Sequence, residues 1–182
     1  MRAFIRQGDS LEAQFLPNEA TLLTALVTQL VELIDPLAED SPTDDLDAMV
    51  NSLADSTDDQ PIEDPALKRL FPDAYRDDPE ASRDFRRYTQ SEQAQAKTRA
   101  ASIVLADLAA SKKGRVTLPP DHVDAWLTTL TNLRLVLAIR LGIEHESDTE
   151  ALSALPDDDP RTGPVSILNW CGWIQETILA NL

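Results

Sequence analysis

The sequence predicts a mainly α-helical single domain, a helical bundle with a small N-terminal β-hairpin. Apolar residues recur at helical spacing along most of the chain, while short period-two alternation dominates only its beginning. The chain has five Gly and 5% aromatic residues, which is too few for a turn-rich β-sandwich or barrel. With 182 residues and a 42% hydrophobic fraction, it can bury one core, so we expect one domain over residues 1–182.

The first fifteen residues predict the hairpin. Within residues 1–15, two runs with an apolar side chain at every second position flank Gly8-Asp9, a pair suited to a tight turn. An isolated two-stranded hairpin is marginally stable in water. The β-type run Arg115–Leu118 is therefore a candidate third strand.

The remaining elements are predicted as helices. The first begins at Pro17 and is expected to stop at Pro36, and a short one over residues 66–71 begins at Asp64-Pro65. A long helix follows Pro79 and is expected to end at Lys112-Lys113-Gly114, and the last helix carries an apolar face over residues 167–182.

Residues 121–141 also fit a helix, although large apolar side chains occupy every second position over 133–141, as they would in a strand. We favour a helix because the 3.6-residue period continues unbroken and Gly142 lies where a C-cap would. A helix that is apolar on nearly all sides lies at the centre of a fold or at a dimer interface.

Two acidic segments interrupted by prolines, about 36–63 and 144–163, are predicted to be flexible loops. Within the first segment, residues 46–53 could form one short amphipathic helix. Like charges repel one another and bury little apolar surface, so neither segment is expected to add to the core.

Overall charge and cysteine content limit the function and the compartment. The net charge of −16 disfavours general binding to nucleic-acid phosphates or anionic lipid. The single cysteine rules out an intrachain disulfide and favours a reducing compartment. No signal-peptide core and no run of about 18 apolar residues is present, so we expect a cytoplasmic protein without membrane contact.

Charge is unevenly distributed along the chain. Residues 1–67 hold 2 basic and 15 acidic side chains, residues 68–115 hold 11 and 7, and residues 116–182 hold 3 and 10. The cations of the middle segment either pair with the acidic loops, the favoured interpretation, or form a surface that binds DNA or a partner. The candidate contact residues are Arg83, Arg86, Arg87, Lys97, Arg99, Lys112, Lys113 and Arg115.

Enzymatic and metal-binding motifs are absent from the sequence. No G-x-S-x-G, Gly-rich phosphate loop or Cys/His pair at a recognisable spacing occurs. His122 and His145 each lie near acidic residues without repeating a zinc pattern, so both are predicted to be solvated surface residues. We therefore predict a non-enzymatic protein with no cofactor and no metal.

Two arginines in apolar surroundings need partners. Arg134 and Arg140 lie six positions apart and project in directions that differ by about 120° on a helix. Because a buried charge must be paired, Glu176 in the apolar last helix is the predicted counter-ion for one of them.

Cys171 lies between Trp170 and Trp173 on an apolar stripe. Such a cysteine is usually buried, protonated and inert. The functional alternative is a redox-sensitive thiol.

The opening hairpin and five motifs give the whole chain a resemblance to a known family. The motifs are P-N-E-A-x-L-L (17–23), D-P-A-L-K-R-L-F-P-D-A-Y-R-D-D (64–78), F-R-R-Y-T (85–89), A-W-L-x-x-L-x-N-L-R-L-x-L (125–137) and N-W-C-G-W-I-Q-E (169–176). In these residues the chain resembles the actinobacterial domain of unknown function 2017, also described as the AosR family of oxidative-stress transcriptional regulators.

This resemblance implies a cytoplasmic regulator of transcription for genes of sulfur and redox metabolism, switched by cysteine oxidation. The chain departs from that pattern because one cysteine cannot close an intrachain bridge. Cys171 would then pair between subunits, or this member senses oxidation differently, or it has another role. We expect a homodimer that binds DNA or the transcription machinery. The rival class is an adaptor that docks a protein partner through its acidic loops.

Overall fold

The computed structural model describes residues 1–39, 62–75, 77–156 and 158–182. In these ranges it contains six α-helices and one three-stranded antiparallel sheet. In chain order the elements are β1 (Arg2–Gln7), β2 (Ser10–Gln14), α1 (Pro17–Glu39), α2 (Pro65–Leu70), α3 (Pro79–Ala110), β3 (Arg115–Leu118), α4 (Val123–Arg140), α5 (Glu146–Ser153) and α6 (Thr162–Leu179). A single 3-10 turn, Pro120–His122, leads into α4. The mainly α fold class is confirmed.

The sheet has the order β1-β2-β3, which confirms both the hairpin and the third strand. Gly8 has φ +63° in the turn between β1 and β2, a conformation that glycine adopts without steric cost. Leu11 lies opposite Leu118, and Ala13 opposite Val116. All four side chains are buried, so this face of the sheet covers the core.

The helices pack in layers on the covered face of the sheet. α1 packs on α3, α3 on α4, and α4 on both α2 and α6. Trp126 of α4 is completely buried, and its ring centroid lies 5.5 Å from that of Phe4 in an edge-to-face contact. The largest fully buried side chains are Trp126, Phe4, Phe15, Leu23, Ile34, Leu118, Leu130, Ile174 and Ile178. Each contributes about 1.5–3 kcal/mol of hydrophobic stabilisation.

The predicted stop at Pro36 is wrong, because α1 continues through Pro36 to Glu39. Proline removes one helical hydrogen bond, and contacts with α3 offset this loss. Leu37 and Ala38 pack against the core, and the Ala38 carbonyl accepts hydrogen bonds from Ser91 Oγ and Gln95 Nε2 at 3.2 and 3.3 Å. The last turn of α1 is therefore held by tertiary contacts.

The ambiguous segment 133–141 is helical. α4 runs to Arg140, the Leu141 N–H donates to the Leu137 carbonyl, and Gly142 follows with φ +73°. The predicted helix and its glycine end signal are both confirmed.

The loop predicted over 144–163 is wrong for residues 146–153, which form α5. The main-chain N–H groups of Glu144 and His145 donate to Asp148 Oδ2 at 2.9 and 2.8 Å. These bonds lower the pKa of Asp148 and stabilise the start of the helix. α6 also begins at Thr162, inside the predicted loop.

The first acidic segment falls mainly outside the described residues. Residues 36–39 belong to α1, and residues 62–64 lead into α2. Residues 40–61, including the short helix predicted over 46–53, lie outside the described ranges.

Among the described residues, one helix, Pro17–Ala38, is long and apolar enough by length and composition to cross a membrane. A core helix of a water-soluble protein passes the same test. Here Leu23, Val27, Leu30 and Ile34 are buried on one face, and α1 packs against α3.

Candidate functional surfaces

The predicted basic residues are separated by the length of α3. This helix has 32 residues and extends for about 48 Å. Arg83, Arg86 and Arg87 lie in its first turns, whereas Lys112, Lys113 and Arg115 follow its C-terminal end. The eight predicted contact residues therefore do not form one continuous patch.

Exposed aromatic rings and arginines occur together in the first turns of α3 and in the segment before it. Tyr88 is 80% exposed, and the exposed rings of Tyr75 and Phe85 meet edge to face at 6.2 Å. Arg86 and Arg87 lie beside Phe85 and Tyr88 in the chain. We call the set Tyr75, Phe85, Arg86, Arg87 and Tyr88 the aromatic–arginine surface.

The chain that leads into α3 positions this surface. Asp78 caps the helix by accepting from Ala81 N at 2.9 Å. Buried Ser82 accepts from Tyr75 N at 3.0 Å and donates its hydroxyl to Tyr75 O at 2.6 Å. Arg86 donates to Asp73 Oδ1 at 2.7 Å. These local bonds fold residues 73–75 back onto the helix.

Lys97 does not belong to either basic group. It is half-buried, its ammonium lies 5.5 Å from the ring centroid of Phe71, and it donates to Asn132 Oδ1 at 3.4 Å. Burial lowers the pKa of Lys97. Its role as a surface contact is therefore not supported, because it packs between α3, α4 and the end of α2. Arg99, two residues nearer the C-terminal end, is exposed.

The turn after α3 differs from the prediction. The helix ends at Ala110, so Gly114 is not its cap. Instead, Lys113 and Gly114 have φ values of +54° and +78°, and Lys112 and Arg115 exchange main-chain hydrogen bonds of 3.3 and 3.1 Å. This is a two-residue turn of the type I′ class, which requires positive φ at both positions.

Gly114 is required at this turn for a second reason. A Cβ at Gly114 would overlap the Phe15 carbonyl oxygen, and Phe15 N donates to Gly114 O at 2.8 Å. Gln14 Nε2 also donates to Lys113 O at 2.6 Å. The turn is thus closely packed against the end of β2.

The predicted pairing of Glu176 with an arginine is wrong. Arg134 donates to Gln175 Oε1 at 2.7 Å and Arg140 donates to Asp64 Oδ2 at 2.6 Å, while Glu176 is exposed. Both arginines are themselves exposed, so neither needs a buried counter-ion.

Each arginine instead connects two helices. Gln175 accepts from Arg134 and also donates, through Nε2, to Thr131 Oγ1 at 2.7 Å and to Leu127 O at 3.1 Å. These hydrogen bonds link α6 to α4. Asp64 is the N-cap of α2. Burial acts to raise the pKa of Asp64, but hydrogen bonds from Arg140 and from the main chain of Ala66 and Leu67 outweigh it, so the pKa lies below its usual value.

Cys171 is completely buried on the core side of α6. Burial raises its pKa to about 11, although the positive charge of Arg134 acts in the opposite direction. The thiol is therefore protonated at neutral pH and shielded from solvent. This supports the prediction of an inert core cysteine and counts against pairing between subunits.

A polar cluster around Asp107 was missed. His122 Nδ1 lies 3.0 Å from both carboxylate oxygens of Asp107, and buried Trp126 donates its Nε1–H to Oδ2 at 2.8 Å. His122 is only partly exposed, so the prediction of a solvated surface histidine is wrong for it. The signal was the indole N–H of Trp126, which needs an acceptor when buried. Its partner lies 19 positions away, on another helix.

Within the described ranges, no group of three or more His, Cys, Asp or Glu side chains could hold a metal ion. His145 is exposed at the start of α5. The described part of the chain thus presents an acidic helical domain with exposed aromatic and cationic groups at the two ends of one long helix.

This chain belongs to the DUF2017 family, described as a domain of unknown function, whose model matches residues 1–182. The family resemblance of the sequence is confirmed.

Curated relatives of this chain carry a functional name. The chain is 29% identical over 191 residues to the oxidative stress regulator AosR of Mycobacterium tuberculosis strain H37Rv. The aligned region covers 98% of this chain and 84% of that protein. The same identity and coverage hold for the AosR of Mycobacterium bovis. This chain is also 28% identical over 188 residues to the putative oxidative stress regulator AosR of Mycobacterium leprae, and the aligned region covers 96% of this chain and 83% of that protein. No solved structure matches this chain.

Proposed function

We propose that this protein is a non-enzymatic regulator in the response to oxidative stress, and that it acts in the cytoplasm by binding a component of the transcription machinery. The family match over the whole chain and the names of the curated relatives support the regulatory role. The exposed aromatic–arginine surface supports action through a partner.

The observation that carries the binding proposal is the composition of this surface. Tyr75, Phe85 and Tyr88 are 52%, 41% and 80% exposed, a costly arrangement unless another molecule covers the rings. Tyrosine and arginine are among the side chains that contribute most often to binding energy at protein interfaces.

A protein partner fits better than direct DNA binding. The cations at the two ends of α3 are too far apart to form one phosphate-binding stripe. The net charge of −16 repels a phosphate backbone, which a single cluster of arginines at one end of a helix offsets only locally.

The predicted homodimer stays a prediction. Its support is the C-terminal half of α4, where residues 135–139 are only partly buried in the single chain. Sedimentation of the purified protein would test it.

The decisive experiment is affinity capture from a nuclease-treated actinobacterial lysate. The wild-type chain and the control Arg2→Glu/Leu179→Ala should both recover RNA polymerase components. The variant Arg87→Glu/Tyr88→Ala should lose at least about nine-tenths of them. The control makes the same charge change and removes an exposed apolar side chain elsewhere on the surface.

Equal recovery by both variants would remove the surface from the proposal. A gel shift by the pure chain, abolished by joint charge reversal of Arg83, Arg86 and Arg87, would replace the protein partner with DNA.

The buried thiol makes a separate prediction about redox sensing. After peroxide treatment of the native protein, a non-reducing gel should show no band of dimer mass, in the wild type as in Cys171→Ser. A dimer band that requires the thiol would show instead that α6 opens and that oxidation acts through Cys171.

A further inference from the structure

A groove lies beside the turn that joins α3 to β3. One wall is the last turn of α3, with Asp107 and Ser111, and the other is the sheet, with Glu12 and Thr117. The turn brings Lys112, Lys113 and Arg115 to the groove. This site is at the opposite end of α3 from the aromatic–arginine surface.

The three cations are exposed and form no ion pair with any described residue. The nearby carboxylate of Asp107 already accepts from His122 and Trp126 through its two oxygens. The cations are therefore free to bind an external anion.

Lys113 holds a conformation that is unfavourable for lysine. Its φ of +54° places it in the left-handed region, where Gly, Asn or Asp would fit with less strain. The cost is about 1 kcal/mol. Strained residues that persist in a well-fixed turn often mark a functional position, and here the side chain supplies a charge.

The main chain of Thr117 offers a donor and an acceptor at the same groove. Phe15 and Gly114 lie opposite each other and are hydrogen-bonded. Along an antiparallel ladder, hydrogen-bonded pairs of opposite residues alternate with pairs that are not hydrogen-bonded. Val116 and Leu118 therefore bond to β2, whereas the N–H and C=O of Thr117 point away from it. Neither has a hydrogen-bond partner among the residues that the structure describes.

We propose that this groove binds an extended, carboxylate-rich peptide segment of a partner protein. The main chain of the peptide would exchange hydrogen bonds with Thr117, and its carboxylates would contact Lys112, Lys113 and Arg115. A phosphate group could use the N–H of Thr117 but not its carbonyl.

The test uses fluorescence anisotropy of a fluorescein-labelled eight-residue peptide of alternating Glu and Thr, titrated with the full chain to about 1 mM in low salt. The wild type should bind, and Lys113→Asn/Arg115→Gln should bind about tenfold more weakly. Asn is favoured at the strained turn position, so this variant should fold.

Three controls separate the explanations. Lys68→Gln/Arg69→Gln loses the same charge from exposed positions on α2 and should bind like the wild type. The same peptide with a methyl group on every main-chain nitrogen should bind more weakly, because none of its residues can donate to the Thr117 carbonyl. A Gln-Thr peptide of equal length should not bind.

Four results would overturn the proposal. They are absence of binding by the wild type, equal losses in the two double variants, indifference to main-chain methylation, and displacement of the peptide by pyrophosphate or an eight-nucleotide single-stranded DNA at lower concentration than unlabelled peptide. None of them bears on the aromatic–arginine surface, which these variants leave intact.

Discussion

The two ends of helix α3 are built differently. At the C-terminal end, Asp107 binds Trp126 in the core and Gly114 packs against the carbonyl of Phe15. At the N-terminal end, Tyr75, Phe85 and Tyr88 are exposed, and largely local hydrogen bonds fold the preceding segment onto the helix.

This difference shows how one helix can combine stability with binding. Burial at one end fixes the position of the helix relative to the sheet, so the exposed side chains at the other end are presented on a rigid support. Substitutions at the C-terminal end should change the free energy of unfolding, and those at the N-terminal end should change partner binding.

The largest effect is expected for Gly114→Ala. The new Cβ overlaps the Phe15 carbonyl and the residue must keep a φ of +78°, so the free energy of unfolding should fall by about 3 kcal/mol. Gly142→Ala is the control, because it has a similar φ with open space around it and should lose only about 1 kcal/mol. Urea unfolding measures both. Equal losses would show that the turn is not closely packed.

A somewhat smaller loss, about 2 kcal/mol, is expected for Asp107→Ala. The substitution leaves the buried indole N–H of Trp126 without its acceptor and removes the partner of His122. Glu92→Ala, an exposed carboxylate on the same helix, should change stability by less than about 0.5 kcal/mol. If the two variants unfold alike, the cluster does not anchor this end of α3.

Lys113→Asn should raise the free energy of unfolding by about 0.5 kcal/mol, because asparagine tolerates the left-handed conformation better than lysine. Lys112→Asn removes the same charge next to it, outside the strained position, and should give no gain. A matching gain in both variants would assign the effect to charge alone.

The smallest stability effect is expected for Tyr88→Ala. This ring is 80% exposed, so the free energy of unfolding, measured by thermal unfolding, should change by less than about 0.5 kcal/mol while capture of the partner is reduced. A loss above about 1 kcal/mol would place Tyr88 in the folding core and contradict the contrast between the two ends.

Local sequence signals predicted most of the elements because each depends on near neighbours. Gly8-Asp9 marked the hairpin, and Gly142 marked the end of α4. Pro36 misled the prediction because tertiary contacts at Ala38 keep the helix intact beyond it. The start of α5 depends on bonds to Asp148 that the charge-based loop prediction did not consider.

The candidate surfaces were less predictable. The sequence identified the arginines at 83, 86 and 87, and it identified Lys112, Lys113 and Arg115, but it did not show that α3 holds the two groups apart. It also assigned Glu176 to an arginine by hydrophobic context, whereas Gln175 and Asp64 are the partners that packing selects.

The sequence by itself determined the helical class, the three strands, the acidic character and the family, because periodicity, turn residues and composition are properties of the chain alone. Tertiary structure decided that Cys171 is shielded, that Asp107 serves Trp126 and His122, and that the turn at Lys113-Gly114 borders a groove. These features depend on which residues of different elements meet in space, and that is fixed by core packing.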